Sequence, residues 1–351
     1  MYFATGPRGL IANFVAKPTE ASLSTYSRRS FVQGAAALAA AGTLSAPALA
    51  QSPVPIRVAN PAADDDPIGV AAAFFAKRVR ELAGSAAAVR VFSRSALGNE
   101  SVALESTIAG NIDIDIVSNT VLSTVAPDLG VLDVPYGLTS PEHSWRVLDG
   151  DIGKALDDHV RSRGVRVAGW AYAGSRCLMT KSKPVRVVAD LGGMKLRVPP
   201  NPTYNAIAKA WGAIATTVPW PETYLALSQG VVDGIETAPG PSFDQKHFEV
   251  AKFLSRTDHL IYFHIWVVSE KALQSWPEPV RAAVITAATE AALLNRRLRI
   301  EQERGIYDEF GKKGVTVIVP NREEFATSLR PVQNSVKPEL MPLLQRIRAL
   351  A

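Results

Sequence analysis

Arg197 is the residue best placed to bind something. It stands third in Lys195-Leu196-Arg197-Val198, a short strand pattern that runs into Pro199-Pro200. A planar guanidinium held at a strand end can grip a carboxylate through two parallel charge-assisted hydrogen bonds. No bond-making apparatus accompanies it. The chain has no Gly-x-Ser-x-Gly elbow, no phosphate-cradling lysine loop, no dinucleotide Gly-x-Gly-x-x-Gly and no His-Glu-x-x-His pair. His143, His159, His247, His259 and His264 are not spaced to put two on one helix face beside a carboxylate. Cys177 is the single cysteine, so neither an internal disulfide nor a cysteine-rich metal site can form. It reads as a small core residue. Asp64-Asp65-Asp66 point in different directions, so at most one or two could meet one ion. They read as the cap of a helix opening at Pro67, with Asp66 also bordering a cleft, because ligands in open α/β sheets bind beyond the strands' C-terminal ends. The expectation is a protein with no catalytic residue, no cofactor and no metal.

The elements that must position these residues alternate between strand and helix. Ile56 to Ala59, Val89 to Phe92 and Ile112 to Val117 read as strands, with helices from Pro67 to Leu82 and Ser101 to Ala109 between them. A second unit repeats the order. Lys195 to Val198 is a strand, Tyr204 to Trp211 a helix, Ile214 to Pro219 extended, Pro221 to Gln229 a helix and Val231 to Glu236 a strand. Such spacing predicts right-handed βαβ units and a mostly parallel sheet. Ile265 to Val268 carries the chain back toward the first unit. Pro279 to Lys312 reads as one helix of about 50 Å, long enough to tie two domains together.

The first fifty residues stand apart. Ser27-Arg28-Arg29-Ser30-Phe31-Val32 leads into the apolar run Gly34 to Leu44 and then Ala48-Leu49-Ala50. A charged start, an apolar centre and an A-x-A end form an export signal, and the paired arginines indicate the twin-arginine (Tat) route. The run is too short and too rich in Ala and Gly to serve as a membrane anchor. Residues 1–26 make a long leader, with the true start codon expected further in. The leader carries Arg8, Lys17, Arg28 and Arg29 against Glu20. Without it, the formal charge of +5 falls to +2, from 34 basic and 32 acidic residues. That balance, with no basic cluster, excludes nucleic acid as the expected partner.

Several short motifs in register resemble one family. Ala96-Leu97-Gly98-Asn99-Glu100, Gly110-Asn111-Ile112-Asp113, Asp133-Val134-Pro135-Tyr136 and Gly174-Ser175-Arg176 come first. Met194-Lys195-Leu196-Arg197-Val198-Pro199, Trp211-Gly212-Ala213, Val218-Pro219-Trp220-Pro221-Glu222 and Gln229-Gly230-Val231-Val232-Asp233-Gly234-Ile235-Glu236 follow. In order and spacing, from about Ile56 to Val319, they resemble the solute-binding proteins of tripartite ATP-independent periplasmic (TRAP) transporters. The resemblance implies a two-domain α/β fold of the type II periplasmic-binding-protein kind, an interdomain ligand cleft and a long domain-spanning helix. It implies residues 51–175 as domain I, 176–262 as domain II and 263–351 returning to domain I, after a Tat signal over 1–50. It makes Arg197 the carboxylate anchor, Arg176 a second arginine of the site and Trp220 a ring over the ligand. Asn119, Tyr136 and Glu236 join the expected site, as does Thr237, which stands where the family has an asparagine. A hydroxyl offers fewer hydrogen bonds than an amide, so the ligand's polar groups are expected to differ from those of sugar-acid binders.

The function so implied is a periplasmic, monomeric binding subunit that hands a small organic acid to TRAP membrane permease subunits, with no bond chemistry. Two alternatives are an exported cofactor-dependent enzyme, since Tat leaders often serve redox enzymes, and a binding protein of another transporter class.

Overall fold

A computed structural model describes residues 52–351, so the twin-arginine segment and the expected cut after Ala50 lie outside the described residues. In chain order the first elements are β1 (Val54–Ala59), α1 (Pro67–Ala83), β2 (Ala87–Phe92), α2 (Glu100–Ala109), β3 (Ile114–Ser118) and α3 (Asn119–Val125). Next come α4 (Pro141–Leu148), α5 (Asp151–Arg161), β4 (Val165–Ser175) and β5 (Cys177–Thr180). Then follow β6 (Lys195–Val198), α6 (Pro202–Ala210), β7 (Ile214–Thr217), α7 (Thr223–Ser228), β8 (Gly234–Thr237) and α8 (Pro239–Asp244). The last part holds β9 (Phe253–Ser255), β10 (Ile261–Ser269), α9 (Glu270–Ser275), α10 (Glu278–Glu303), α11 (Ile306–Lys312) and β11 (Thr316–Ile318). It ends with α12 (Arg322–Ser328), α13 (Arg330–Gln333) and α14 (Met341–Ala349).

The strands form two sheets, ordered β2-β1-β3-β10-β4 and β11-β9-β5-β8-β6-β7. Both are mixed rather than mostly parallel. β10 runs antiparallel to β3 and β4, and β5 runs antiparallel to β8 and β9. The reason is the double crossing between sheets. A chain that leaves the first sheet through β4 and returns through β10 must lay the returning strand against the outgoing one. The two crossings bind each other: Arg176 N–H donates to Leu260 O at 2.7 Å, and His259 N–H to Arg176 O at 3.3 Å.

Each sheet is covered on both faces, as α/β layering requires. Ile56, Val58, Phe75, Val79, Trp266, Val284 and Ala288 pack α1 and α10 onto one face of the first sheet. Val117, Leu122, Leu156, Tyr172, Phe263 and Leu344 close the other face beneath α3, α5 and α14. In the second sheet, Leu196, Tyr204, Trp211 and Phe325 form one core, while Met179, Ile235, Leu254 and Phe310 form another. β11 belongs to this second sheet, although it lies within the 263–351 segment expected to rejoin the first. Cys177 is wholly buried, and burial raises its thiol well above the usual range, as expected of a core residue.

The expected 34-residue helix is two helices. α10 stops at Glu303 and α11 begins at Ile306, with Gly305 at φ −120° and ψ 0° between them. Glycine is a poor helix former, and the bend aims α11 at the second sheet's core. α10 alone is about 39 Å long at about 1.5 Å per residue. It lies so close to β4 that a Cβ built on Gly169 would stand 2.6 Å from the Ala292 Cβ. Near its end, wholly buried Arg299 forks. Nη2 donates to both oxygens of Asp66 at 2.8 Å, and Nη1 donates to Asp244 at 2.9 Å. Asp66 precedes α1 on the first sheet's side and Asp244 ends α8 on the second's, so α10 does span both halves.

Candidate functional site

β6 lies between β7 and β8, which places Arg197 opposite Thr216 and Ile235. Its side chain is 2% exposed, and Nε donates to Val218 O at 2.9 Å. The guanidinium lies 5.7 Å from the centre of the Trp220 ring. No carboxylate among the described residues forms an ion pair with it. Burial, then the nearby charge of Arg176, lower its pKa to about 10. The group stays charged at neutral pH, but its charge is poorly compensated, which favours an incoming anion.

Arg176 sits on the crossing between β4 and β5 and is compensated. Its Nε and Nη2 grip the Glu236 carboxylate as a fork, with Nη2 to Oε2 at 2.6 Å, and Nη2 also reaches Glu236 O at 3.0 Å. The guanidinium is held between the Tyr204 and Tyr262 rings, 4.8 and 4.6 Å from their centres. Burial opposes its charge, but Glu236 outweighs burial and holds Arg176 above the usual arginine range. Burial likewise opposes the Glu236 charge, and Arg176 with His259 overcomes it, leaving that carboxyl at about 2. His259 meets Glu236 Oε1 through Nε2 at 3.1 Å and Thr257 through Nδ1 at 2.9 Å. Thr237 follows Glu236 on β8, buried opposite Cys177.

Trp220 is half-buried at the start of the turn before α7. Its ring meets His247 edge-on at 5.4 Å. His247 is buried between Thr223 Oγ1 at 2.9 Å and Ser242 Oγ at 3.2 Å. Burial, then Arg197, lower its pKa to about 3. The unfolded chain takes a proton near pH 6.5, and the folded chain only near 3. Stability tied to this residue is therefore intact above about pH 6.5 and lost as pH falls from there toward 3. At pH 5 the loss should be about 2 kcal/mol. Urea denaturation of the wild type and His247→Gln at pH 7 and pH 5 measures it. The variant should show the shallower decline, and equal declines would refute the assignment.

The other expected site residues lie elsewhere in the network. Asn119 is fully buried; its amide donates to Asp133 at 2.6 Å and its oxygen accepts from Phe263 N–H at 3.0 Å. Both ends are used within the fold. Asp133, raised to about 6 by burial, also accepts from Ser123 at 2.8 Å and Tyr204 at 3.1 Å. Asn201 donates to Thr120 O at 2.7 Å and Ser123 Oγ at 2.9 Å, so this polar seam joins α3 to α6. Tyr136, at φ 55°, gives its hydroxyl to Thr257 O at 3.0 Å. It faces a different cavity, of about 390 Å³, with Tyr172, Glu303, Arg256 and Arg322. Asp66 caps α1 by accepting from Ile68 N–H at 2.7 Å and is otherwise taken by Arg299, which overcomes burial to hold it below the usual carboxylate range.

The structure thus gathers Arg197, Arg176, Glu236, Trp220 and Thr237. It adds His259, His247 and Tyr262, which no local pattern marked, and Tyr204, which the sequence placed on the helix after the Arg197 strand. Glu100 joins from the other half; its Oε1 accepts from Ser118 N–H at 2.7 Å, and burial raises its pKa although Arg197 and Arg176 act on it. Its signal was present in the Leu97-Gly98-Asn99-Glu100 motif. Among the described residues no group of three or more His, Cys, Asp or Glu side chains could hold a metal. Arg197 is thus a buried cation with no bonded counter-ion among the described residues, 5.7 Å from an aromatic ring centre, an arrangement that suits an anion.

Residues 58–338 match the family described as bacterial extracellular solute-binding protein, family 7. A solute-binding protein of Verminephrobacter eiseniae (strain EF01-2) is 31% identical over 289 residues, covering 82% of this chain and 85% of its own. A TRAP periplasmic solute-binding protein of Sulfitobacter sp. NAS-14.1, solved with bound β-D-galacturonate, superposes with TM-score 0.81 at 28% identity, over 84% of this chain and 99% of that one. One from Polaromonas sp. JS666, bound to D-erythronate, gives 0.81 at 25% identity, over 84% and 98%.

Proposed function

We propose that this chain, which belongs to the bacterial extracellular solute-binding proteins of family 7, the TRAP periplasmic binding proteins, captures a small organic acid through a carboxylate–arginine contact at Arg197. One observation carries the reading: Arg197 is buried, charged and without a carboxylate partner among the described residues, while its neighbour Arg176 already holds the Glu236 carboxylate. Such a site gains most from an anion that supplies the missing charge. Relatives bound to galacturonate and erythronate support a carboxylate as that anion. Trp220 closes one side of the site, and Thr237 and the free Nη1 edge of Arg176 offer further polar contacts. Binding from both halves would favour a closed state, with the crossings at Arg176 and His259 as the hinge. The protein performs no bond chemistry, works in the periplasm after Tat export and passes its ligand to TRAP membrane permease subunits.

A thermal-shift screen over organic acids tests this, since a ligand that binds only the folded state raises Tm. At least one carboxylate should raise Tm, and its uncharged amide should not. A library in which neutral analogues shift Tm as much as the acids would reject the reading.

A further inference from the structure

The floor of the first half holds two buried carboxyl groups, Asp115 and Glu100, that the carboxylate reading does not use. Asp115 is the second residue of β3, between Ala59 of β1 and Val267 of β10, and is 1% exposed. Its Oδ2 is buried without a hydrogen-bond partner among the described residues. Leaving a buried carboxyl oxygen unpaired is costly in either protonation state, so a missing partner needs an explanation. Asp115 lines a small cavity with Glu100, Asn60, Ser95 and Leu97. The cavity's volume is about 10 Å³, room for one water-sized group. Ser95 Oγ, on the same wall, is likewise buried and unpartnered. The Asn60 amide is already used, accepting from Ala62 N–H at 3.0 Å and donating to Ser93 at 3.3 Å.

Arg176 is committed to Glu236, so Arg197 is the cation left to offset Glu100. When a ligand carboxylate occupies Arg197, that offset is neutralised, and Glu100 and Asp115 share the cavity wall without a positive charge beside them. Burial, and then Glu100, already raise the Asp115 carboxyl well above its usual range. A ligand hydroxyl would supply one donor and no charge. An ammonium supplies three donors and a full positive charge in a volume close to that of water.

We propose that the cavity lined by Asp115 and Glu100 receives a primary ammonium group, so that the ligand of this protein is an aminocarboxylate rather than a purely hydroxylated acid. The inference rests on Arg197 as the carboxylate anchor. It makes Asp115 the residue that separates amine from hydroxyl.

Calorimetry on the full chain tests it with matched pairs, from glycine and glycolate to 6-aminohexanoate and 6-hydroxyhexanoate, and with glucosaminate against gluconate. At one spacing the amine should bind at least about tenfold more tightly than its hydroxyl partner, about 1.4 kcal/mol. Asp115→Asn should shrink that ratio to near one while carboxylate binding survives, and Glu100→Gln should shrink it in part. A hydroxy acid bound as tightly as its amine at every spacing overturns the inference and leaves the Arg197 reading standing. So does a ratio that Asp115→Asn does not change, which would assign the cavity to a structural water. If no carboxylate of either kind binds, the anchor reading has failed and this inference falls with it.

Discussion

Arg197→Ala should abolish useful ligand binding while leaving the fold intact. Removing one partner of a desolvated charge pair costs about 2–5 kcal/mol, or roughly 30-fold to several thousand-fold in Kd. The fold should tolerate the change because no carboxylate among the described residues is bonded to Arg197, and its side-chain bond is to Val218 O. Its pKa, lowered to about 10, shows that the folded protein holds this charge at a cost. The variant should therefore match or slightly exceed the wild-type Tm without ligand, and lose the ligand-induced rise. Micromolar binding retained in calorimetry would refute the anchor. A collapse in Tm would mean that Arg197 supports the fold instead.

Glu236→Ala should do the reverse and strike stability first. It would leave Arg176 charged and buried between Tyr204 and Tyr262, and would take the partner from His259 Nε2. Breaking a buried pair from one side costs about 3–5 kcal/mol. Proton linkage gives a similar figure. Glu236 titrates at about 2 in the folded protein against an ordinary 4.5, so its stabilisation is present above about pH 4.5 and lost as pH falls through 2. That shift is worth about 3 kcal/mol. The double variant Arg176→Met/Glu236→Leu should recover most of the loss, because apolar groups of similar size often replace a buried pair at little cost. Urea denaturation of the three proteins decides the matter. A Glu236→Ala protein within about 1 kcal/mol of wild type would show that the pair contributes little.

Those two outcomes separate what sequence can show from what it cannot. Arg197, Trp220 and Glu236 were legible because each lies in a short motif whose order survives along the chain. The division of labour between the two arginines was not. Arg176 and Arg197 look alike as residues, and only the folded contacts show that Glu236 is bonded to Arg176 and not to Arg197. Asn119 was readable as the residue following a strand, yet its two polar ends are consumed by Asp133 and the Phe263 backbone. Those partners lie 14 and 144 residues away, so the pairing is set by the fold rather than by local sequence. Helix and strand order was largely visible in the apolar periodicity. Strand direction was not, because the antiparallel course of β10 follows from the path between sheets rather than from its own residues. The long helix was over-read for the opposite reason: the apolar pattern continues across Gly305 while the backbone does not.

The forked contacts of Arg299 carry a mechanical consequence. One guanidinium bonds Asp66 with one arm and Asp244 with the other, and it is wholly buried. Were the two halves to slide apart at that point, a cation would be stranded without its anions in a low-dielectric setting. Sliding there is therefore disfavoured and rotation is not. The molecule has a pinned corner, and a swing of the two sheets about the crossings would have to keep that corner closed.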